Sequence, residues 1–189
     1  MRPYPIFVAF HSDLFAAAGD RLRARCDELG IVHDICDREE LLSGFRGELS
    51  ERGFMITSPR RRVVSRYIPV FCMEKLRAHG QPILYLHADS EIRRKPPAKC
   101  FNGDFMYSWG DDALPTGKMV LSNPVYYNHS MAALDVLGEL VDKCLTENSG
   151  SSEHDFMELM VLNGHKDMTR FDVEMSGRRR DVGDPYIFY

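Results

Sequence analysis

His87 and Asp89 stand two positions apart at the end of the apolar run Ile83-Leu84-Tyr85-Leu86. On extended backbone, alternate side chains project to one side. An imidazole and a carboxylate placed this way can grip one cation or one polar ligand together. In open α/β sheets, ligands gather beyond the carboxyl ends of the strands, where the chain leaves the sheet. A similar position is held by Phe10, His11 and Ser12 at the end of the apolar run that starts at Ile6, and by Asp37 after the expected strand from Ile31 to Cys36. Two arginines, Arg93 and Arg94, follow Asp89 closely.

Several familiar chemistries are absent. No G-x-G-x-x-G follows the first apolar run, so a dinucleotide fingerprint is missing. Thr116-Gly117-Lys118-Met119 imitates the end of a phosphate-binding loop but lacks the hydroxyl residue after the lysine, and Asp112 stands where the first glycine is needed. There is no G-x-S-x-G nucleophile turn and no H-E-x-x-H zinc helix. The cysteines Cys26, Cys36, Cys72, Cys100 and Cys144 are far apart and form no C-x-x-C pair, which speaks against a zinc knuckle or a redox pair.

The elements that must position these residues follow from pattern. Ile6–Phe10 reads as a buried strand, with Ser12 capping a helix that carries Leu14, Ala18, Leu22, Cys26 and Leu29 and stops at Gly30. A second strand over 31–36 makes this a β-α-β unit, so the two strands are parallel. Residues 37–53 are polar and glycine-bearing, a loop or a short helix. Ser58-Pro59 opens a helix that Pro69 should kink and Gly80 should end. The strand over 83–86 completes a second crossover. Asp104–Trp109 alternates like a strand; Met119–Tyr127 is apolar enough for another, although Pro124 argues against a regular central one. Helices are expected from Met131 to Leu145 and from Glu153 to Asn163, with weak strands over 169–174 and 186–189. The expected fold class is α/β, with a mixed, mostly parallel sheet flanked by helices.

With 189 residues, 44% of them hydrophobic, and no repeat or convincing linker, the chain suits a single domain over 1–189. The formal net charge of −4 gives no global attraction to nucleic acid or anionic membrane. Unpaired cysteines in apolar segments suit a reducing cytoplasm, and no apolar stretch approaches a membrane span. The basic runs Arg60-Arg61-Arg62, Arg93-Arg94-Lys95 and Arg178-Arg179-Arg180 read either as solvated surface or, gathered on one face, as a phosphate-contacting patch.

The order of Ile68-Pro69-Val70-Phe71, Glu74-Lys75-Leu76, Gln81 to Asp89 and Ile92-Arg93-Arg94 resembles the small GT-A-type nucleotide-diphospho-sugar transferases. The resemblance is good over about 54–100 and plausible over 117–160. Members of that family typically carry Asp-Ala-Asp at the end of the apolar strand, so His87-Ala88-Asp89 is a variant of that signature. The resemblance implies a GT-A (Rossmann-like) fold and transfer of a sugar from a nucleotide-diphospho-sugar to an unidentified hydroxyl. It makes Asp89, with His87, the contact for a divalent ion such as manganese or magnesium. It makes Phe10, His11, Ser12 and Asp37 the flank of the nucleotide, and Arg66, Arg93 and Arg94 the partners of the diphosphate. Asp155 becomes a candidate acceptor-side base, although Ser152-x-x-Asp155 also reads as a capping box that merely starts a helix.

The chain departs from the family at three positions. His87 replaces an acid, Ile68 replaces a lysine, and the C-terminal Pro185-Tyr186-Ile187-Phe188-Tyr189 lacks the histidine that often binds metal there. A degenerate nucleotide- or partner-binding domain is therefore the alternative, and a nucleic-acid-modifying transferase a third.

Overall fold

The structure, a computed structural model, describes residues 3–52, 54, 59–110, 119–147, 153–165, 167–171, 176–177 and 186–188. Strand β1 (Ile6–His11) is buried at every position, as a strand covered on both faces must be. Phe7 and Ala9 enter one core, while Ile6, Val8 and Phe10 enter the other. A 3₁₀ turn (Asp13–Phe15) separates β1 from α1 (Ala16–Glu28). The helix therefore starts later than Ser12, whose carbonyl, rather than its hydroxyl, accepts from Phe15 N–H at 2.8 Å. Gly30 ends this segment at a φ of 59°, where a side chain would be strained.

Strand β2 (His33–Asp37) runs parallel to β1. The following polar stretch forms a complete helix, α2 (Glu39–Glu51), rather than a loop. Leu42, Phe45 and Leu49 bury one face of it, and tertiary burial overrides the helix cost of Gly44 and Gly47. Helix α3 (Pro59–His79) contains Pro69 without ending there, and Gly80 terminates it at a φ of 61°. The serine expected to cap it, Ser58, lies outside the described residues. Strand β3 (Ile83–Tyr85) then returns parallel to β1.

After β3 come β4 (Glu91–Ile92), β5 (Phe105–Gly110), β6 (Met119–Tyr127), α4 (Met131–Thr146), α5 (Glu153–Leu162), β7 (Met168–Arg170), β8 (Ser176–Gly177) and β9 (Ile187–Phe188). The main sheet has the order β2-β1-β3-β6-β5-β7, and a small sheet has the order β4-β9-β8. Pairings β1–β2, β1–β3 and β5–β7 are parallel, whereas β6 is antiparallel to both its neighbours. Helices α2 to α5 cover one face; α1 and the small sheet cover the other.

Strand β6 is central despite Pro124. Its pairing with β5 shifts register, with Tyr107 opposite Val125 but Ser108 opposite Leu121. The residues between, Asn123 and Pro124 among them, leave the ladder, so the missing proline N–H removes no sheet bond.

Candidate functional site

Strand order changes direction at β1, with β2 on one side and β3 on the other. Crevices beyond the carboxyl ends of strands at such a switch are the usual ligand sites of open α/β sheets. His11 pairs with Asp37 across β1 and β2, and Leu86 N–H donates to Val8 C=O at 2.9 Å, which places His87 beside the outgoing end of β1. His11, Ser12, Asp37 and the His87–Ser90 turn thus share one edge of the sheet.

Individually these residues do different work. Phe10 is core: its ring packs edge-on against Tyr67 at 5.3 Å and lies 4.9 Å from Phe71, so it is not open to a nucleotide base. His11 is buried at 6% exposure. Arg23, a permanent donor, lies 3.1 Å from its Nε2, which fixes that nitrogen as the acceptor and puts the ring proton on Nδ1, facing the Ser12 carbonyl. Gly19 makes room for this ring, since a Cβ there would stand 2.3 Å from His11 Cδ2. Asp37 is exposed, and its Oδ1 accepts from Glu39 N–H at 2.8 Å, starting α2.

Arg66 departs from the expected phosphate role. Its guanidinium is buried in the layer of α3, α4 and α5, donates to Cys144 C=O at 2.7 Å and lies 4.8 Å above the Phe54 ring. Asp155 is exposed in the first turn of α5, which packs on α3, α4 and β6, and it does not line the cleft that holds Asp89. The Ser152 of the capping-box reading lies outside the described residues, as do Asp112 and the third basic run.

The His87–Ser90 turn is held by a residue that pattern reading passed over. Asn123, 4% exposed, accepts from His87 N–H at 3.1 Å through Oδ1 and donates to Ser90 Oγ at 3.0 Å through Nδ2. Ser90 N–H closes the turn on His87 C=O at 3.0 Å. The register shift in β6 is what turns Asn123 out of the ladder and toward this turn. The sequence signal was an Asn-Pro dipeptide inside an apolar strand, a combination that marks a local break.

Beyond the turn the chain descends beside α1. A cleft of about 610 Å³ opens there, with Asp89, Glu91 and Arg93 on one wall and Arg21 and Arg25 of α1 on the other. That volume suits a ligand of nucleotide size. Arg93 reaches Glu91 at 3.8 Å, and the Arg94 guanidinium stacks 4.3 Å above Tyr186. Lys95 donates to Gly30 C=O at 2.6 Å, so the middle basic run is largely engaged within the protein. The C-terminal strand β9 does lie beside β4, with Ile92 opposite Ile187, but it brings no histidine.

Could these residues hold a divalent ion? No group of three His, Cys, Asp or Glu side chains suited to a metal occurs among the described residues. The expected pair, Asp89 and His87, offers one carboxylate and one imidazole, and the His87 ring packs edge-on against Tyr85 at 5.8 Å. A hard ion prefers several oxygens, and this pair is short of that set. Without the phosphate oxygens of a bound donor, the described residues do not supply the set that a resident ion needs. Burial first, and Asp27 next, push the Cys26 thiol up to about 12, away from the range of a nucleophile.

No family model matches the chain, and no curated protein matches it. Solved structures do. A glycosyltransferase involved in glycosylation of the major capsid of PBCV-1 aligns over 99% of this chain and 94% of its own, with a TM-score of 0.64 at 10% identity. The galactosyltransferase LgtC, solved in complex with donor and acceptor sugar analogs, aligns over 97% of this chain and 86% of its own, with a TM-score of 0.59 at 11% identity. The glycosyltransferase GlyE of Streptococcus pneumoniae TIGR4 has a TM-score of 0.58 at 14% identity; 98% of this chain spans 55% of it. These likenesses show the fold: the mixed, mostly parallel sheet flanked by helices is GT-A.

Proposed function

We propose that the protein transfers a sugar from a nucleotide-diphospho-sugar to a hydroxyl acceptor at the edge formed by β1, β2 and the His87–Ser90 turn. One observation carries the reading. The His87-Ala88-Asp89 turn sits beside the strand-order switch of a GT-A sheet, and its exposed carboxylate opens on a nucleotide-sized cleft. In such a transfer the bond from the sugar's anomeric carbon to the diphosphate breaks, and a bond to the acceptor oxygen forms. The enzyme's task is to hold the donor and to offset charge growing on the departing diphosphate.

Ser12 and Asp37 flank the nucleoside in this reading, with His11 as a support behind them. Asp89 accepts a hydrogen bond from a sugar hydroxyl, and His87 lies over the same end of the donor. Arg93, on the wall of the cleft, faces the diphosphate, and Arg94, stacked on Tyr186, stands beside it. Asp155, in the helix layer on the other face of the sheet from this cleft, is not given the acceptor's proton in this reading. Similarity to transferases that act on sugars supports the reaction class and leaves the donor and acceptor open.

The experiment is a thermal-shift panel of nucleoside diphosphates and their sugar conjugates, with and without Mn²⁺, followed by turnover of the binders. A rise in Tm with one nucleotide sugar, lost in Asp89→Ala, is expected. Absence of a shift with every nucleotide would sink the reading. A shift without any turnover would instead favour a nucleotide-binding domain that has lost catalysis, the alternative suggested by His87 standing where an acid is usual.

A further inference from the structure

Ala18, Arg21, Leu22 and Arg25 recur at helical spacing and so share one face of α1. That face forms a wall of the Asp89 cleft. Its two arginines are not equivalent. Arg25 is committed to the protein: its Nε donates to Ile92 C=O at 2.8 Å, one terminal nitrogen pairs with Glu28 at 2.7 Å, and the other donates to the Arg93 carbonyl. Arg21 is exposed and has no hydrogen-bond or ion-pair partner among the described residues. Asp89, across the cleft, is exposed and equally without one.

A guanidinium and a carboxylate that line one cleft without pairing leave room between them. The ligand that satisfies both must offer acceptor oxygens to Arg21 and a donor to Asp89. A diphosphate carrying a sugar does this, with phosphate oxygens for the planar fork of the guanidinium and ring hydroxyls for the carboxylate.

We propose that Arg21 binds the diphosphate of the donor in the cleft between α1 and residues 88–93, so that side-chain charge, rather than a resident divalent ion, neutralises it. This rests on the transferase reading above, and it adds a residue on a helix that the strand-edge argument did not include. The shortage of metal-ligand groups around Asp89 and the open guanidinium facing it are two sides of the same arrangement.

The test is calorimetric titration of UDP and of inorganic pyrophosphate into the full chain, in EDTA and in Mn²⁺. The wild type is expected to bind UDP in EDTA. Arg21→Gln should weaken UDP and pyrophosphate alike by about tenfold or more, since a hydrogen bond to a charged group contributes that much. Arg21→Lys should fall between the two. The melting temperature should be unchanged in both variants because Arg21 is exposed and unpartnered, which separates ligand binding from a structural role. Unaltered affinity in Arg21→Gln, or wild-type binding that requires Mn²⁺, would overturn this inference alone. No nucleotide binding by the wild type in either buffer would remove the transferase reading, and this inference with it.

Discussion

The geometry of the candidate site depends on a single amide. Asn123 is buried and holds the His87–Ser90 turn from both ends, accepting from the His87 backbone and donating to Ser90 Oγ. Asn123→Ala would leave the His87 N–H, which lies in a part-buried position, without its acceptor, and Ser90 Oγ without its partner. Each such loss costs about 1–3 kcal/mol when water cannot replace it. We expect Asn123→Ala to lower unfolding free energy in urea by that amount and to weaken nucleotide binding, because Asp89 is carried by the loosened turn. Asn123→Asp keeps the acceptor and loses the donor, so it should recover part of the stability. A fully stable alanine variant with undiminished binding would show that the turn holds its shape alone. Asp89 and His87 were legible in the sequence because a polar pair interrupts an apolar run. Asn123 was harder to read, since the register shift that aims it depends on how β5 pairs with β6.

At the scale of elements, α1 meets the sheet through a close contact rather than through apolar area alone. The His11 ring fills the space above Gly19, and Arg23 and the Ser12 carbonyl hold it there. Gly19→Ala gains up to about 1 kcal/mol of helix propensity, yet it drives a methyl into a fixed ring, an overpacking that costs about 1–3 kcal/mol. The net expectation is a loss of stability that shrinks when His11→Ala is added, a coupling readable in a double-mutant cycle. Additive effects would mean that the ring moves aside freely. Elements whose signal is local were legible in this way: β1 and β3 have continuous apolar runs and α1 one apolar face, with Gly30 and Gly80 closing the helices that precede β2 and β3. Helix α2 was obscured by Gly44 and Gly47, whose unfavourable propensity is overridden by burial of Leu42, Phe45 and Leu49. The use of Arg66 was equally hidden, because Phe54, Phe156 and the Cys144 carbonyl converge on it only in the folded layer.

Across the whole molecule, the sheet must keep an edge strand, β2, whose end carries Asp37 to the site. Its attachment to the opposite layer is ionic. Asp34 of β2 accepts from Lys75 at 2.7 Å and from His79 at 2.9 Å, both on α3, and the Lys75 ammonium also lies 5.4 Å above the Phe71 ring. Burial pushes the Asp34 carboxyl up, but the hydrogen bonds from Lys75 and His79, with their charges, outweigh it and hold the group below its usual range. A carboxylate whose pKa is lower folded than unfolded binds fewer protons in the native state. Its stabilisation is therefore complete above the unfolded value, about 3.9, and fades as pH falls through the folded value. Asp34→Asn removes the charge and leaves Lys75, 8% exposed, without its close anion, with Glu74 4.0 Å away. For a partly buried pair we expect a loss of about 1–3 kcal/mol at pH 7. The gap between wild type and variant should persist down to about pH 4 and then close, since protonated aspartate offers Lys75 little more than asparagine does. Urea unfolding from pH 7 to pH 3 tests this. A gap that stays constant over that whole range would mean the ion pair does not tie β2 to α3, and that burial of Ile35 and its neighbours alone keeps Asp37 at the edge of the site.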